Sequence, residues 1–231
     1  MFQVVLFLDR RDQRGGGVIG VDPSRRSRLR IWFRKEADLR FISHRDLARL
    51  WERMLRRAGL SLAMSEGFHP KARMSFPSAL GLGLASRVEI VEVELVEEIP
   101  VEDAERRLRG EAPDGLTIDR IDRLPPGAPK AHIVRATYEV DLPPDRQADV
   151  RTAIAELLAR GECPVDRPDR DGAVEIRADI ERLDLVEGRL TMTLAQRREA
   201  SARPRDILSV LGLADIEAAG AVLTRVGSEF G

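Results

Sequence analysis

Cysteine and long apolar runs are the scarcest features of this sequence. Cys163 is the only cysteine among 231 residues, which excludes a disulfide framework within the chain and a metal site built from several thiolates. No apolar run approaches the roughly 20 residues that a membrane span requires. Basic residues follow the short N-terminal apolar run instead of preceding it, which is the reverse of a signal peptide. We therefore expect a cytoplasmic protein with no membrane partner, no metal site and no cofactor.

Neither sign of charge is in excess over the whole chain, but the charges are unevenly distributed. Lys and Arg number 38 and Asp and Glu 39, which gives a formal net charge of −1. Residues 28–73 contain 12 basic and 5 acidic residues, whereas residues 84–122 contain 5 basic and 12 acidic residues. Such asymmetry indicates either an electrostatic partner or two solvated faces of opposite sign that cancel.

Two hydrophobic periods predict the first half of the fold. Residues 29–33 alternate apolar and polar side chains, as a half-buried strand does. A helix follows, because one apolar stripe at helical spacing runs up to Gly59. The stripe consists of Leu47, Leu50, Trp51, Met54, Leu55 and Ala58. Further strands are predicted at 60–64, 88–96 and 116–124, with a second helix within 100–115 and no more than a short strand at 73–76 in the long loop. This βαββαβ order is the ferredoxin-like pattern, with both helices on one face of the sheet.

The same order recurs after a proline-rich linker. It comprises a strand at 136–142, a helix at 145–161, a long hairpin that turns at Glu187 and Gly188, a helix from Pro204 and a last strand from 221. The sequence thus predicts an α+β fold of two ferredoxin-like halves in tandem, with antiparallel sheets. The predicted organisation is a flexible N-terminal extension (1–27), an N-terminal domain (28–124), a linker (125–133) and a C-terminal domain (134–231).

Residues 40–76 concentrate the polar side chains that suit a functional site. Ser43 immediately precedes the first helix and Asp46 lies three residues later, which is the pattern of a helix N-cap with a carboxylate at the positive end of the helix dipole. A Ser-His-Asp catalytic triad is not expected, because consecutive helical residues point in different directions. His44 is then either a packed histidine or a site residue at the junction of helix and sheet.

A basic row is predicted on the exposed side of this helix. Its members, spaced by three or four residues, are Arg45, Arg49, Arg53 and Arg56. Arg30 and Trp32 lie on the adjoining strand. Arginines beside an aromatic ring suit a phosphate backbone and a stacked base. A solvated helix face is the alternative interpretation of the same row.

The long loop after the helix is a second candidate. Residues 65–76 read SEGFHPKARMSF, and a long loop in a compact domain is uncommon unless it binds something. His69, Lys71 and Arg73 supply protonatable and anion-binding groups, and a surface turn with incidental polarity is the alternative. If the loop folds back across the sheet, it forms a cleft lined by His44, Glu66, His69 and Lys71. The candidate catalytic residues are His44, His69 and Lys71.

Four short motifs in this region are specific. They read RFISHRDL (40–47), RRAGL (56–60), SEGFHP (65–70) and GLASRVE (83–89). In these motifs the chain resembles a bacterial family of unknown function, the radical-SAM-associated (radical-SAM-linked) domain. The matching residues include Phe41, Ser43, His44, Asp46, Glu66, Gly67, Phe68, Pro70, Ser75, Gly83, Ser86 and Glu89. Arg45 and Ala72 depart from the leucine and proline that the family usually has there.

The resemblance implies an association with radical-SAM chemistry, since members of that family stand alone or are appended to B12-binding radical-SAM proteins. It supplies no catalytic residue, because none is established for the family. A radical-SAM core holds its iron–sulfur cluster through three cysteines. A chain with one cysteine is therefore at most an accessory of such an enzyme.

Three functions are compatible with these features. The first is an RNA-binding accessory module for RNA modification or processing, which binds through Arg30, Trp32, the helix row, Lys71 and Arg73; DNA is not expected as a ligand. The second is a metal-independent endoribonuclease that uses His44 or His69 as general acid or base. The third is a docking module that presents an acidic face, residues 89–105, to a B12-binding radical-SAM protein.

Overall fold

The structure is a computed structural model that describes residues 26–197 and 201–231. The expected N-terminal extension, residues 1–27, lies almost entirely outside these ranges. The helices are α1 (His44–Arg57), α2 (Val101–Arg109), α3 (Gln147–Ala159) and α4 (Pro204–Val210). The strands are β1 (Ser27–Lys35), β2 (Met74–Ser75), β3 (Ala85–Leu95), β4 (Leu116–Leu124), β5 (Ile133–Asp141), β6 (Pro164–Val165), β7 (Val174–Glu175), β8 (Ile180–Val186), β9 (Arg189–Ala195) and β10 (Thr224–Phe230). The protein is of the mixed α+β class.

One mainly antiparallel sheet contains eight of these strands. Its order is β4-β1-β3-β10-β5-β9-β8, and β2 also pairs with β3. Strands β6 and β7 form a separate pair. The sequence predicted a separate sheet for each half, but the two halves share this one sheet. They are joined by the parallel pairing of β10 with β3, where Thr224 lies opposite Ala85 and Arg225 opposite Ser86. Because β2 is only two residues long, the beginning of β3 is left without a partner on that edge, and β10 pairs with it there.

Helices α1 and α2 cover the first apolar core. Ser43 immediately precedes α1, and its Oγ accepts a hydrogen bond of 3.1 Å from the backbone N–H of Asp46, so the predicted N-cap is confirmed. The helix ends before Gly59, which has a φ of +68°. It buries Leu47, Trp51, Met54 and Leu55. Leu50, predicted in the same stripe, is only partly buried at the edge of this core.

A second core lies between α3, α4 and the strands of the C-terminal half. It also contains Leu80 and Leu84, which precede β3, so the N-terminal half contributes side chains to the core of the other half. The β8–β9 hairpin turns at Glu187 and Gly188, as predicted, with φ values of +50° and +80°. The predicted strand at 60–64 is reduced to the isolated pairings Leu62–Leu95 and Met64–Ala72.

Candidate functional site

The basic row of α1 is exposed along its whole length. The guanidinium of Arg49 lies 3.2 Å from Asp46 and that of Arg56 lies 2.7 Å from Glu52, both within the helix. Arg45 and Arg53 form no ion pair with any residue that the structure describes. Exposed pairs within a helix are worth only a few tenths of a kcal/mol. All four guanidinium groups, those of Arg45, Arg49, Arg53 and Arg56, therefore remain available to an anionic partner.

The Ser-His-x-Asp cluster is a helix cap. The hydroxyl of Ser43 donates a hydrogen bond of 2.7 Å to Asp46 Oδ2, and this bond lowers the pKa of the Asp46 carboxyl, with the nearby arginines acting in the same direction. His44 is exposed and packs edge-on against Phe76, with 5.1 Å between the ring centroids. The Ser43–Asp46 bonds are local, whereas the His44–Phe76 contact joins the start of α1 to the segment after β2.

Residues 65–71 form the tip of a closed hairpin. The backbone N–H of Ser65 donates to the carbonyl of Lys71 at 2.8 Å, and the N–H of Lys71 donates to Ser65 Oγ at 2.9 Å. Phe68 is fully exposed at the tip. The other tip residues that are exposed are Glu66, Gly67, His69, Pro70 and Lys71.

The cleft predicted between His44 and the loop residues Glu66, His69 and Lys71 stays a prediction. Within residues 26–197 and 201–231, no hydrogen bond or ion pair joins His44 to the hairpin that carries Glu66, His69 and Lys71. His44 instead contacts Phe76, and His69 lies in the exposed hairpin tip.

The indole of Trp32 is occupied by the protein's own side chains. Its N–H donates a hydrogen bond of 2.6 Å to Asp122 Oδ2. The guanidinium of Arg120 lies over the ring at 4.3 Å from the centroid, and the Phe230 ring meets it edge-on at 5.5 Å. The prediction that Trp32 stacks on a base is not supported by this geometry.

Arg30 and Arg73, also predicted to bind nucleic acid, form ion pairs across the sheet. Arg30 and Arg28 both bond to the buried Glu92, at 2.7 and 2.6 Å, and Arg73 lies 3.4 Å from Glu94. Burial opposes ionisation of Glu92, but the hydrogen bonds and charges of the two arginines outweigh it and lower the pKa of Glu92. The acidic segment thus neutralises part of the basic segment inside the fold.

The predicted acidic docking face, residues 89–105, is not one surface. Glu89 and Glu92 are buried in the sheet. Asp103 forms ion pairs with Arg106 and Arg107 of its own helix. The carboxylates of this segment are therefore divided between the interior, the sheet surface and α2.

A buried polar cluster at the junction of β3 and β10 was not predicted. Arg225, 4% exposed, donates from NH1 to Glu89 Oε1 and to Ser78 Oγ, both at 3.0 Å, and from NH2 to the Tyr138 hydroxyl at 3.3 Å. Glu89 is 5% exposed. Its nearest charged partner comes from 136 positions further along the chain, a separation that sequence periodicity cannot reveal.

Lys35 extends this cluster towards the start of α1. It is 1% exposed, and its Nζ donates to the carbonyls of Ile42 and Arg40 at 3.2 and 3.4 Å. Burial lowers the pKa of Lys35, while the charge of Glu89 opposes that shift. The carbonyl of Arg40 also accepts from the N–H of Gly83 at 2.9 Å.

The GLASRVE motif (83–89) was the sequence feature that could have pointed to this junction. Gly83 has a φ of +85°, Ser86 is fully buried and Glu89 pairs with Arg225. Three of its residues thus have structural roles where β3 meets the segment before α1 and the C-terminal half.

Within the part of the chain that the structure describes, no group of three or more His, Cys, Asp or Glu side chains is arranged to hold a metal ion. None of the described helices is both long and apolar enough to cross a membrane.

A family model matches residues 28–204, which is most of the chain. The family is described as "Uncharacterized protein conserved in bacteria (DUF2344)". The chain belongs to this family. No curated protein matches it in sequence.

The solved structures that resemble this chain include two that cover 89% of it. A crystal structure of an unknown protein from Galdieria sulphuraria has 10% sequence identity and a TM-score of 0.29, with 89% of this chain and 99% of that chain covered. A putative glycine cleavage system transcriptional repressor has 8% identity and a TM-score of 0.25, with 89% and 98% covered. Scores this low carry no argument about function.

Proposed function

We propose that this protein is an RNA-binding accessory module for RNA modification or processing. The exposed row of Arg45, Arg49, Arg53 and Arg56 on α1 carries the proposal. Two of its members have no carboxylate partner in the described residues, and the other two pair only with carboxylates of the same helix. A row of accessible guanidinium groups suits the regularly spaced phosphates of a nucleic-acid backbone.

Phe68 takes the stacking role that the sequence suggested for Trp32. Its ring is fully exposed at the hairpin tip, and the neighbouring His69 and Lys71 are also exposed. An aromatic ring near a cationic side chain such as Lys71 is the usual platform for an unpaired base. This arrangement favours single-stranded RNA, whose bases are free to stack.

We also propose that the two halves are tandem ferredoxin-like units. The first half supports this through the neighbour order β4-β1-β3-β2, and the second through the order β10-β5-β9-β8. Among the strands of the large sheet, each order gives the fourth, first, third and second strand of its own half, since β6 and β7 form the separate pair. RNA-binding proteins use this fold often, but fold alone does not assign function.

A B12-binding radical-SAM protein is the enzyme partner that we propose. The sequence motifs at 40–47, 56–60, 65–70 and 83–89 are its sole support. We expect the accessory role to consist in presenting RNA to that enzyme. An endoribonuclease is the less favoured function, because no hydrogen bond among the described residues fixes the exposed side chain of His44 or His69.

A binding assay with charge-reversed helix variants tests the RNA proposal. Arg45→Glu with Arg53→Glu removes the two unpaired cations of the row, and we expect it to abolish retention of single-stranded RNA on a filter. Arg170→Glu with Arg182→Glu makes the same change of charge at exposed positions of the C-terminal half and should retain RNA. Equal retention by both double variants would remove α1 as the RNA surface.

A further inference from the structure

A cavity of about 590 Å³ lies between the segment before β3 and the C-terminal half. Ser78, Gly81 and Leu84 line one side, and Tyr138, Arg225 and the segments 166–169 and 202–206 line the other. Arg205 links the two sides, because its NH2 donates a hydrogen bond of 2.7 Å to the carbonyl of Leu82. The volume is in the range of small-molecule sites and far exceeds that of a single oxyanion.

Two buried arginines beside this cavity have donors that the protein does not use fully. Arg167 and Arg225 both line it and are 6% and 4% exposed. Arg167 donates from NH2 to Asp206 at 2.6 Å, and Arg225 pairs with Glu89. The Nε of each has no hydrogen-bond partner among the described residues. Unsatisfied buried donors are rare in folded proteins and call for an explanation.

The exposed part of the lining carries both signs of charge. Arg203 donates two hydrogen bonds to Asp169, of 2.8 and 3.1 Å, and both side chains are more than half exposed. Such a pair is weak, so each partner can be redirected to a ligand at little cost. Asp166 adds a second exposed carboxylate. Pro168 and Pro204 form an apolar part of the cavity lining.

We infer that this cavity binds a nucleoside monophosphate, either free or as the terminal nucleotide of an RNA. Arginine forms strong paired hydrogen bonds with phosphate, and Arg203 is an accessible guanidinium that offers them. Carboxylates accept hydrogen bonds from the amino groups of bases, and Asp169 and Asp166 offer these. A simple phosphate would leave the carboxylates unused, whereas a nucleotide uses both signs of charge and fills more of the volume. Bases with an exocyclic amino group should therefore bind more tightly than uracil.

Calorimetry on the full chain tests this assignment. AMP, GMP, CMP and UMP are titrated in turn, with inorganic phosphate and guanosine as partial ligands, and a short 5′-phosphorylated oligoribonucleotide distinguishes an RNA end from a free nucleotide. We expect saturable binding of the three amino-bearing nucleotides, weaker binding of UMP, and weaker binding of either partial ligand. Arg203→Gln should weaken nucleotide binding about tenfold or more, whereas Arg182→Gln, outside the cavity lining, should not change it.

A second variant keeps the test independent of any single substitution. Asp169→Asn should weaken AMP, GMP and CMP more than UMP, because it removes the carboxylate that accepts from their amino groups. Three results would overturn the assignment: no saturable binding of any nucleotide or of the oligoribonucleotide, inorganic phosphate binding as tightly as the nucleotides, or full affinity in Arg203→Gln. The site does not depend on RNA retention by α1, since Arg45→Glu with Arg53→Glu should leave nucleotide binding unchanged.

Discussion

Glu89 of β3 and Arg225 of β10 are buried ion-pair partners, with 3.0 Å between Oε1 and NH1 and only 5% of each side chain exposed. The pair lies beside the two residue pairs through which β10 joins β3. It therefore couples the two halves of the chain where only two residue pairs join β10 to β3. A buried charge is costly without its partner, so the junction depends on both residues.

Glu89→Gln should destabilise the protein strongly. The substitution leaves the guanidinium of Arg225 buried without its carboxylate, which costs about 3 to 5 kcal/mol in the free energy of unfolding. Urea unfolding measures this loss. Glu52→Gln, which removes the partly exposed partner of Arg56 on α1, is the matched control and should cost less than about 1 kcal/mol. Equal effects of the two substitutions would show that Glu89 is not energetically coupled to Arg225.

Lys35 should make the protein more stable as the pH rises in the alkaline range. Burial lowers its pKa in the folded protein below the usual 10.5, so the unfolded chain binds the proton more tightly. The free energy of unfolding therefore increases with pH between the folded pKa and 10.5. Lys35→Met should remove this increase, measured by urea unfolding at several pH values up to 10.5.

Cys163 acts in the opposite direction over the same pH range. Burial raises the pKa of its thiol, with Glu175 contributing, so its deprotonation favours the unfolded chain. Because Cys163 is present in both proteins, the difference between wild type and Lys35→Met isolates the lysine. Parallel pH profiles would contradict the account of Lys35.

Leu55→Ala should cost about 2 to 5 kcal/mol, because Leu55 is fully buried in the first core. Leu50→Ala should cost clearly less, since Leu50 only packs against the edge of that core. Urea unfolding of the two variants gives the comparison. A larger loss for Leu50→Ala would mean that α1 has a different rotation about its axis.

Much of the local structure follows from periodic patterns in the sequence. The apolar stripe of α1, the cap at Ser43 and the turn at Glu187 and Gly188 depend on neighbouring residues, and these predictions are confirmed. The pairing of β10 with β3 depends on contacts between distant segments, which no local pattern encodes. The hairpin at 64–72 separates Leu62 from β2, so the strands predicted at 60–64 and 73–76 make only short pairings with the end of β3.

The candidate site was predictable only in part. Helical spacing was enough to place Arg45 and Arg53 on an exposed face. It could not show that Arg30 bonds to Glu92, or that Asp122, Arg120 and Phe230 surround Trp32, because these partners come from other strands.

Phe68→Ala should weaken RNA binding without changing stability. The ring is fully exposed, so its loss should alter the free energy of unfolding by less than about 0.5 kcal/mol. One stacked base is worth about 1 to 3 kcal/mol of binding. Fluorescence anisotropy with a labelled single-stranded RNA measures the affinity. Val186→Ala, an exposed apolar residue of another hairpin, is the control, and an unchanged affinity in Phe68→Ala would exclude stacking at the hairpin tip.

The salt dependence of RNA affinity tests the role of α1 most directly. Each phosphate neutralised on a single strand contributes about −0.7 to the slope of log affinity against log salt concentration. Arg45→Gln with Arg53→Gln removes two cations and should make that slope shallower by about 1.4, while Arg170→Gln with Arg182→Gln should leave it unchanged. A slope in the α1 variant equal to that of the wild type, or a wild-type affinity that does not vary with salt, would contradict the proposal that α1 binds the RNA backbone.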